Sequence, residues 1–163
     1  MSAMKLGEGV EWACHVCAVL AGLPEDLALS ASALAAFHEL PPAYMAKHLQ
    51  ALSRAGIVLS VRGVGGGYRL ARPATEISLW DIRQAIEGTT PDFQCMEIRR
   101  NGPCSQFGAS SRPCSVAAAF WAAERAYRQS LRSVTVADIA HTVERLYGAK
   151  GTARFQAWVK EVS

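Results

Sequence analysis

Apolar residues return at helical spacing through most of this chain. Val10, Ala13, Cys14, Cys17 and Leu20 form one stripe and predict an amphipathic helix over residues 9–21. Gly22, Pro24, Glu25 and Asp26 then break the pattern, and Ser30 is placed to cap a short second helix ending near Phe37. After a turn over 38–41, Pro42 suits the first position of a third helix, where its missing N–H is harmless. That helix is predicted over 42–55, with Gly56 fit for a left-handed stop. Met45, Leu49 and Leu52 should be its buried side, leaving Ala43, Ala46, Lys47, Gln50 and Arg54 outside.

Next comes a change of period. Residues 57–62 read as a β-branched strand, 63–67 as a glycine turn, and 68–73 as a second strand. A phosphate-cradling nucleotide loop would need Gly-Lys-Ser/Thr opening a helix, whereas strand-like residues and Pro73 follow these glycines. Ser78-Leu79-Trp80-Asp81 resembles a capping box before a stripe of Leu79, Ile82 and Ile86 that stops at Gly88. No periodicity survives over 89–113, where Pro91, Gly102, Pro103, Gly108 and Pro113 recur. A long unpatterned loop of this kind usually has a function.

Two further stretches return to helical spacing. A long helix is predicted over 115–133, its apolar band set by Phe120, Tyr127, Leu131 and Val134 with Trp121 beside it. Such a face suits pairing with a second copy, since the rest of the chain offers little else to cover so long a helix. Thr135 should cap another helix carrying Val136, Ile139, Val143 and Leu146, and Phe155, Trp158, Val159 and Val162 predict a docked helical tail. The fold class expected is mostly α with a small β-wing. It divides into a winged helix-turn-helix over 1–88, a cysteine loop over 89–114, and a dimerisation helix with C-terminal helices over 115–163.

Composition narrows the function. The 163 residues are 50% hydrophobic and 19% charged, enough for a packed core. The longest nearly apolar run, 16–23, falls well short of the roughly 20 residues a membrane span needs, and Glu8 and Glu11 interrupt any secretory signal, so a cytoplasmic protein is expected. Between Leu40 and Arg72 lie Lys47, Arg54, Arg62, Arg69 and Arg72 with no acidic residue, a stretch able to neutralise phosphates. The order of helices and basic hairpin reads as a winged helix-turn-helix on a double-stranded DNA operator. Pro42, Ala43, Tyr44, Lys47, Gln50 and Arg54 would face the DNA from the helix, and Arg62, Gly65, Gly66 and Tyr68 from the wing. No small-molecule substrate, membrane partner or enzymatic triad is indicated.

Five cysteines fall into two groups. Cys14 and Cys17 share the apolar face of the first helix and read as core. Cys95, Cys104 and Cys114 sit in or at the end of the unpatterned loop. Their wide spacing does not suit structural zinc, but it can serve an iron–sulfur cluster that takes another ligand from elsewhere. A redox-sensing thiol pair is the other reading.

The run Ser60-Val61-Arg62-Gly63-Val64-Gly65-Gly66-Gly67-Tyr68-Arg69-Leu70-Ala71-Arg72-Pro73 resembles the wing of the Rrf2-type regulators that include IscR and NsrR. Glu76-Ile77-Ser78-Leu79-Trp80-Asp81-Ile82, and a cysteine loop before a long helix, are similar as well. Val10-Glu11-Trp12-Ala13, the run 46–56 and Cys95-Met96-Glu97-Ile98 look most like the RsrR-type members. That resemblance implies a homodimer with a [2Fe–2S] cluster held by one Glu, one His and two Cys drawn from both subunits. The positions it implies are Glu11, His38, Cys95 and Cys114, with Cys104 as the alternative thiol. The spacing of these cysteines is longer than in IscR and NsrR, and Ala46 stands where IscR-type readers carry an acid, so a different operator is expected. A cluster-free regulator using its thiols as a disulfide sensor, or not at all, is the remaining alternative.

Overall fold

The computed structural model describes residues 7–103, 105 and 114–163. Six α-helices and one hairpin are named here in chain order: α1 (Glu8–Ala21), α2 (Ala31–Phe37), α3 (Pro42–Arg54), β1 (Val58–Val61), β2 (Gly67–Leu70), α4 (Leu79–Glu87), α5 (Ser115–Arg132) and α6 (Val136–Val162). The chain is thus mostly α with a two-stranded antiparallel wing.

Local chemistry sets the ends of these helices. The Ser30 hydroxyl accepts the Ala33 N–H at 3.1 Å and opens α2. Pro42 opens α3, and Gly56, at a φ of +68°, reverses the chain just after it. Ser78 with Asp81, and Thr135 with Asp138, form reciprocal capping boxes at the starts of α4 and α6. Here Asp does the work of the usual Glu, its carboxylate taking the Ser78 N–H at 2.9 Å.

One core joins α1 to α4. Val16, Cys17, Leu29, Leu34, Met45, Leu49, Leu52, Ile77 and Ile82 are all fully buried in it. The buried stripe expected for α3 is therefore found, with Met45, Leu49 and Leu52 inward. Cys17 lies in this core while Cys14 is partly covered. Burial pushes both thiols up, Cys14 to about 11 with help from the Glu11 charge, so both stay protonated.

The wing is tied to the body rather than hanging from it. Val58 pairs with Leu70, and Val61 with Gly67. At the base of the wing, the Tyr68 N–H donates to the Leu29 carbonyl at 2.7 Å and the Leu29 N–H returns to Tyr68 at 3.0 Å. Gly67 makes this approach possible, because a Cβ there would stand 2.3 Å from the Leu29 carbonyl oxygen.

The C-terminal part agrees with expectation in one respect and differs in another. The two helices read after Thr135 are present, meeting directly at a break at Gly148, whose φ of +58° and ψ of −162° are not helical. The arm 149–162 docks as expected, with Trp158 4.5 Å from Phe37 and Phe155 6.1 Å from it, ring centre to ring centre. Val143 and Leu146, by contrast, are exposed, as is Tyr147 beside them. Their helical spacing is real, but nothing within the described chain covers it. Among the described residues no helix is long and apolar enough to cross a membrane.

Candidate nucleic-acid interface and sensor residues

α2, the turn 38–41 and α3 form a helix-turn-helix whose second helix has one side in the core and one in solvent. Pro42, Ala43, Tyr44, Lys47, Gln50 and Arg54 are all exposed on it. Trp12 of α1 meets the Tyr44 ring edge-on at 6.3 Å and the His48 ring at 6.0 Å, so α1 braces the helix beside its solvent face. His48 also lies against Gly9, where a Cβ would stand 2.5 Å from the imidazole. Burial first, then the Lys47 charge, lower the His48 pKa and favour a neutral ring.

The five cations of the 40–72 stretch divide into two sets. Lys47, Arg54 and Arg62 are exposed and make no ion pair among the described residues. Arg69 and Arg72 are turned inward. Arg69 donates to the Glu25 carbonyl at 2.7 Å, and Arg72 donates to the Glu76 carbonyl and pairs with Asp81 at 3.6 Å. The stretch of five cations thus presents three outward charges, the ones expected to face DNA, and two that hold the wing. Of the wing residues, Arg62 and Gly65 are exposed near the apex. Gly66 is packed within the turn, and Tyr68 sits half-buried at the base against the core.

On the other side of α2, His38 ends the helix and Glu39 takes a left-handed φ of +54°. The buried Nε2 of His38 has no hydrogen-bond partner. His15 lies 5.3 Å away, ring to ring, and Glu11 is one helical turn before His15 on α1. Burial, followed by the neighbouring His15, holds the His38 pKa below its ordinary value. A neutral imidazole with an unsatisfied, buried nitrogen is what a metal ligand needs. The sequence had not singled out His15. Its four-residue spacing from Glu11 was the signal that placed both on one face.

Cys95 and Cys114 lie half-buried, and the Cys95 thiol points at the Glu97 carboxylate, 3.5 Å away. Arg99 holds both oxygens of Glu97 at 2.9 and 3.0 Å, which draws the Glu97 pKa down. Cys114 is the residue just before α5, with its carbonyl accepting the Ala118 N–H at 2.8 Å. Cys104 is outside the described residues.

The start of this loop is firmly fixed. Phe93 stacks on Phe120 at 4.8 Å, and the Asp92 N–H donates to buried Glu124. The Asp92 carboxylate pairs with Arg83 at 2.6 Å, and Arg83 also holds Glu87 at 3.0 Å. The guanidiniums of Arg83, Arg128 and Arg132 gather over Trp80 at 5.2 to 5.7 Å. Of these anchoring residues the sequence had marked only Phe120, as part of an apolar band, and Trp80, within a capping box; the charged partners and Phe93 join α4 to α5 across residues with no shared periodicity.

Within one protomer the four expected ligands do not meet. Among the described residues no three His, Cys, Asp or Glu side chains are grouped to hold a metal. The donor set nevertheless fits an iron–sulfur cluster chemically, with two thiols, one neutral imidazole and one carboxylate.

A helix-turn-helix with an exposed second helix, joined to a short glycine-tipped hairpin, defines a winged-helix DNA-binding transcriptional regulator. The chain belongs to the Rrf2 family, described as "Iron-dependent Transcriptional regulator", whose match covers residues 6–142. It is 30% identical over 159 residues to YffB of Lactococcus lactis, named as an HTH-type transcriptional regulator, with 98% of this chain and 99% of that one aligned. Among solved structures, T. potens IscR superposes with a TM-score of 0.69 at 24% identity, over 90% of this chain and 93% of that one. CymR of B. subtilis, titled the global cysteine regulator, gives 0.68 at 21% identity over 86% and 98%. The oxidised form of Staphylococcus aureus CymR gives 0.63 at 26% identity over 84% and 96%. These relatives are transcriptional regulators, not enzymes.

Proposed function

We propose that the chain is a redox-responsive regulator of the RsrR type, acting as a homodimer on a double-stranded operator. In this reading α5 pairs with its copy, and the two α3 helices enter successive major grooves. Lys47, Arg54 and Arg62 neutralise phosphates, while Ala43, Tyr44 and Gln50 approach base edges. The working units are the winged domain over 1–88, the loop over 89–114 and the pairing helices over 115–163.

Glu11 and His38 of one subunit, with Cys95 and Cys114 of the partner subunit, would hold a [2Fe–2S] cluster, which supplies a one-electron change of charge. The orphaned, buried Nε2 of His38 carries this reading. His38 ends α2 just before the turn into α3, so a change in what its ring holds reaches the DNA-reading helix directly. Trp12, next to Glu11, offers a second mechanical link through Tyr44 and His48.

Anaerobic purification of the wild type and of Cys95→Ala, Cys114→Ala and Cys104→Ala, with visible absorption and iron and sulfide assays, tests the ligand set. Equal iron and sulfide are expected in the wild type and in Cys104→Ala, and loss in the other two. A colourless, iron-free wild type would overturn the cluster. The second reading, a thiol sensor without a cluster, draws on the similarity to the oxidised form of a CymR and on the Cys95 thiol beside Glu97. It predicts a colourless protein whose operator affinity responds to a thiol oxidant.

A further inference from the structure

The apex of the wing carries one side chain with no role in the fold. Val64 is fully exposed. Its turn is closed by the Gly66 N–H donating to the Gly63 carbonyl at 2.9 Å, and Gly65 follows it at a φ of +75°, as a type II turn requires. A Cβ on Gly63 or Gly65 would meet nothing within 4 Å, so both flanks of Val64 are bare backbone facing open space. The tip is therefore a thin blade with a single isopropyl group at its edge.

The blade is also rigidly mounted. The Tyr68–Leu29 hydrogen bonds, Arg69 on the Glu25 carbonyl and Arg72 on Asp81 fix the base of the hairpin to the body. Isolated exposed valines are ordinary on protein surfaces and need no explanation. This one differs in standing at the projecting edge of a DNA-binding wing, beside the exposed cation Arg62 and without any hydrogen-bonding side chain at the apex. A bare, narrow, apolar edge fits the minor groove, which is about 6 Å wide and lined at A·T pairs by acceptors alone. At G·C pairs the guanine 2-amino group projects into that groove, and an apolar edge can neither accept its hydrogen bond nor avoid burying it.

We propose that Val64 is a specificity-determining residue that reads the minor groove by shape, admitting A·T pairs and rejecting G·C through the guanine amino group. The inference rests on the DNA-binding reading and adds to it a source of sequence preference that lies outside α3. Short random-sequence duplexes enriched by the wild-type protein supply the probe, and hydroxyl-radical protection locates the minor-groove pairs facing the wing. Synthetic copies then carry A·T, I·C or G·C at those pairs, since inosine keeps the major-groove face of guanine but lacks its amino group.

The wild type is expected to bind the A·T and I·C copies alike and the G·C copy about tenfold more weakly. Val64→Ala should shrink the I·C to G·C ratio toward one. Val64→Thr, of the same shape but with a hydroxyl able to accept from the amino group, should shrink it while retaining tight binding. Equal wild-type binding of I·C and G·C, or an unchanged ratio in both variants, would overturn the proposal. Enrichment of no duplex at all would instead remove the DNA-binding reading beneath it.

Discussion

The two ends of the chain are both helical but packed very differently. In the 14 residues of α1, Val10, Ala13, Val16, Cys17, Val19 and Leu20 are buried. The 18 residues of α5 bury only Ala117 and Glu124, and the 27 of α6 only Val136 and Val159. Val116 and Phe120 on α5, and Val143, Leu146 and Tyr147 on α6, face solvent instead. The DNA-reading end thus closes its own core, while the other end exposes large apolar groups that a lone protomer leaves uncovered. On the proposed reading a second copy covers α5, since a two-fold DNA site takes two reading helices.

Paired substitutions sharpen the contrast. Leu49→Ala removes a fully buried side chain from the core under α3 and should lower stability by about 3 kcal/mol, read as a shift in the urea midpoint. Phe120→Asp also removes the stack on Phe93, and at low protein concentration it should lower that midpoint by less than Leu49→Ala does. Its effect should appear in sedimentation, as conversion of the dimer to a monomer, with operator affinity falling more than about tenfold as two-site binding is lost. A Phe120→Asp protein that still sediments as a dimer would move the seam away from α5.

The cations test a finer division within the reading end. Lys47, Arg54 and Arg62 face outward, whereas Arg69 and Arg72 are bound to Glu25, Glu76 and Asp81. Replacing Lys47 by alanine should reduce the slope of log affinity against log salt by about one per subunit. Arg69→Ala should leave the slope as it was. Equal changes from both substitutions would mean that Arg69 swings out to the phosphate backbone on binding and that its bond to Glu25 is not kept.

Much of this fold was legible in the sequence because its signals are local. Ser30, Ser78 and Thr135 marked helix starts, Pro42 and Gly56 bounded the reading helix, and the change from period 3.6 to a glycine-centred hairpin marked the wing. What stayed hidden depends on partners far apart in the chain. Nothing local distinguishes Arg69, which turns to the Glu25 carbonyl, from Arg62, which does not. The same holds for Val143 and Leu146, whose spacing matches a buried stripe although no neighbour covers them. The sensor site was legible only through resemblance. Structure adds the unsatisfied nitrogen of His38 and the nearby His15; within one protomer Glu11 and His38 do not meet the cysteines, and the proposed cluster calls for a second copy.

The smallest expected effect concerns the joint between α1 and the reading helix. His48 lies against Gly9 and Trp12, and its pKa is lowered by burial and by Lys47. The folded state therefore resists the proton that the unfolded chain accepts near pH 6.5. His48 thus contributes stability that is present above about pH 6.5 and is lost as the pH falls below it. Urea midpoints at about pH 7.5 and about pH 5.5 for the wild type and His48→Gln read this contribution. The wild type should lose more stability between the two than the variant, because glutamine keeps a polar side chain but takes no proton. Every other titratable side chain is the same in the two proteins, so the difference isolates His48. An identical pH response would mean that the ring escapes the joint when charged and that α1 does not clamp α3 at that point.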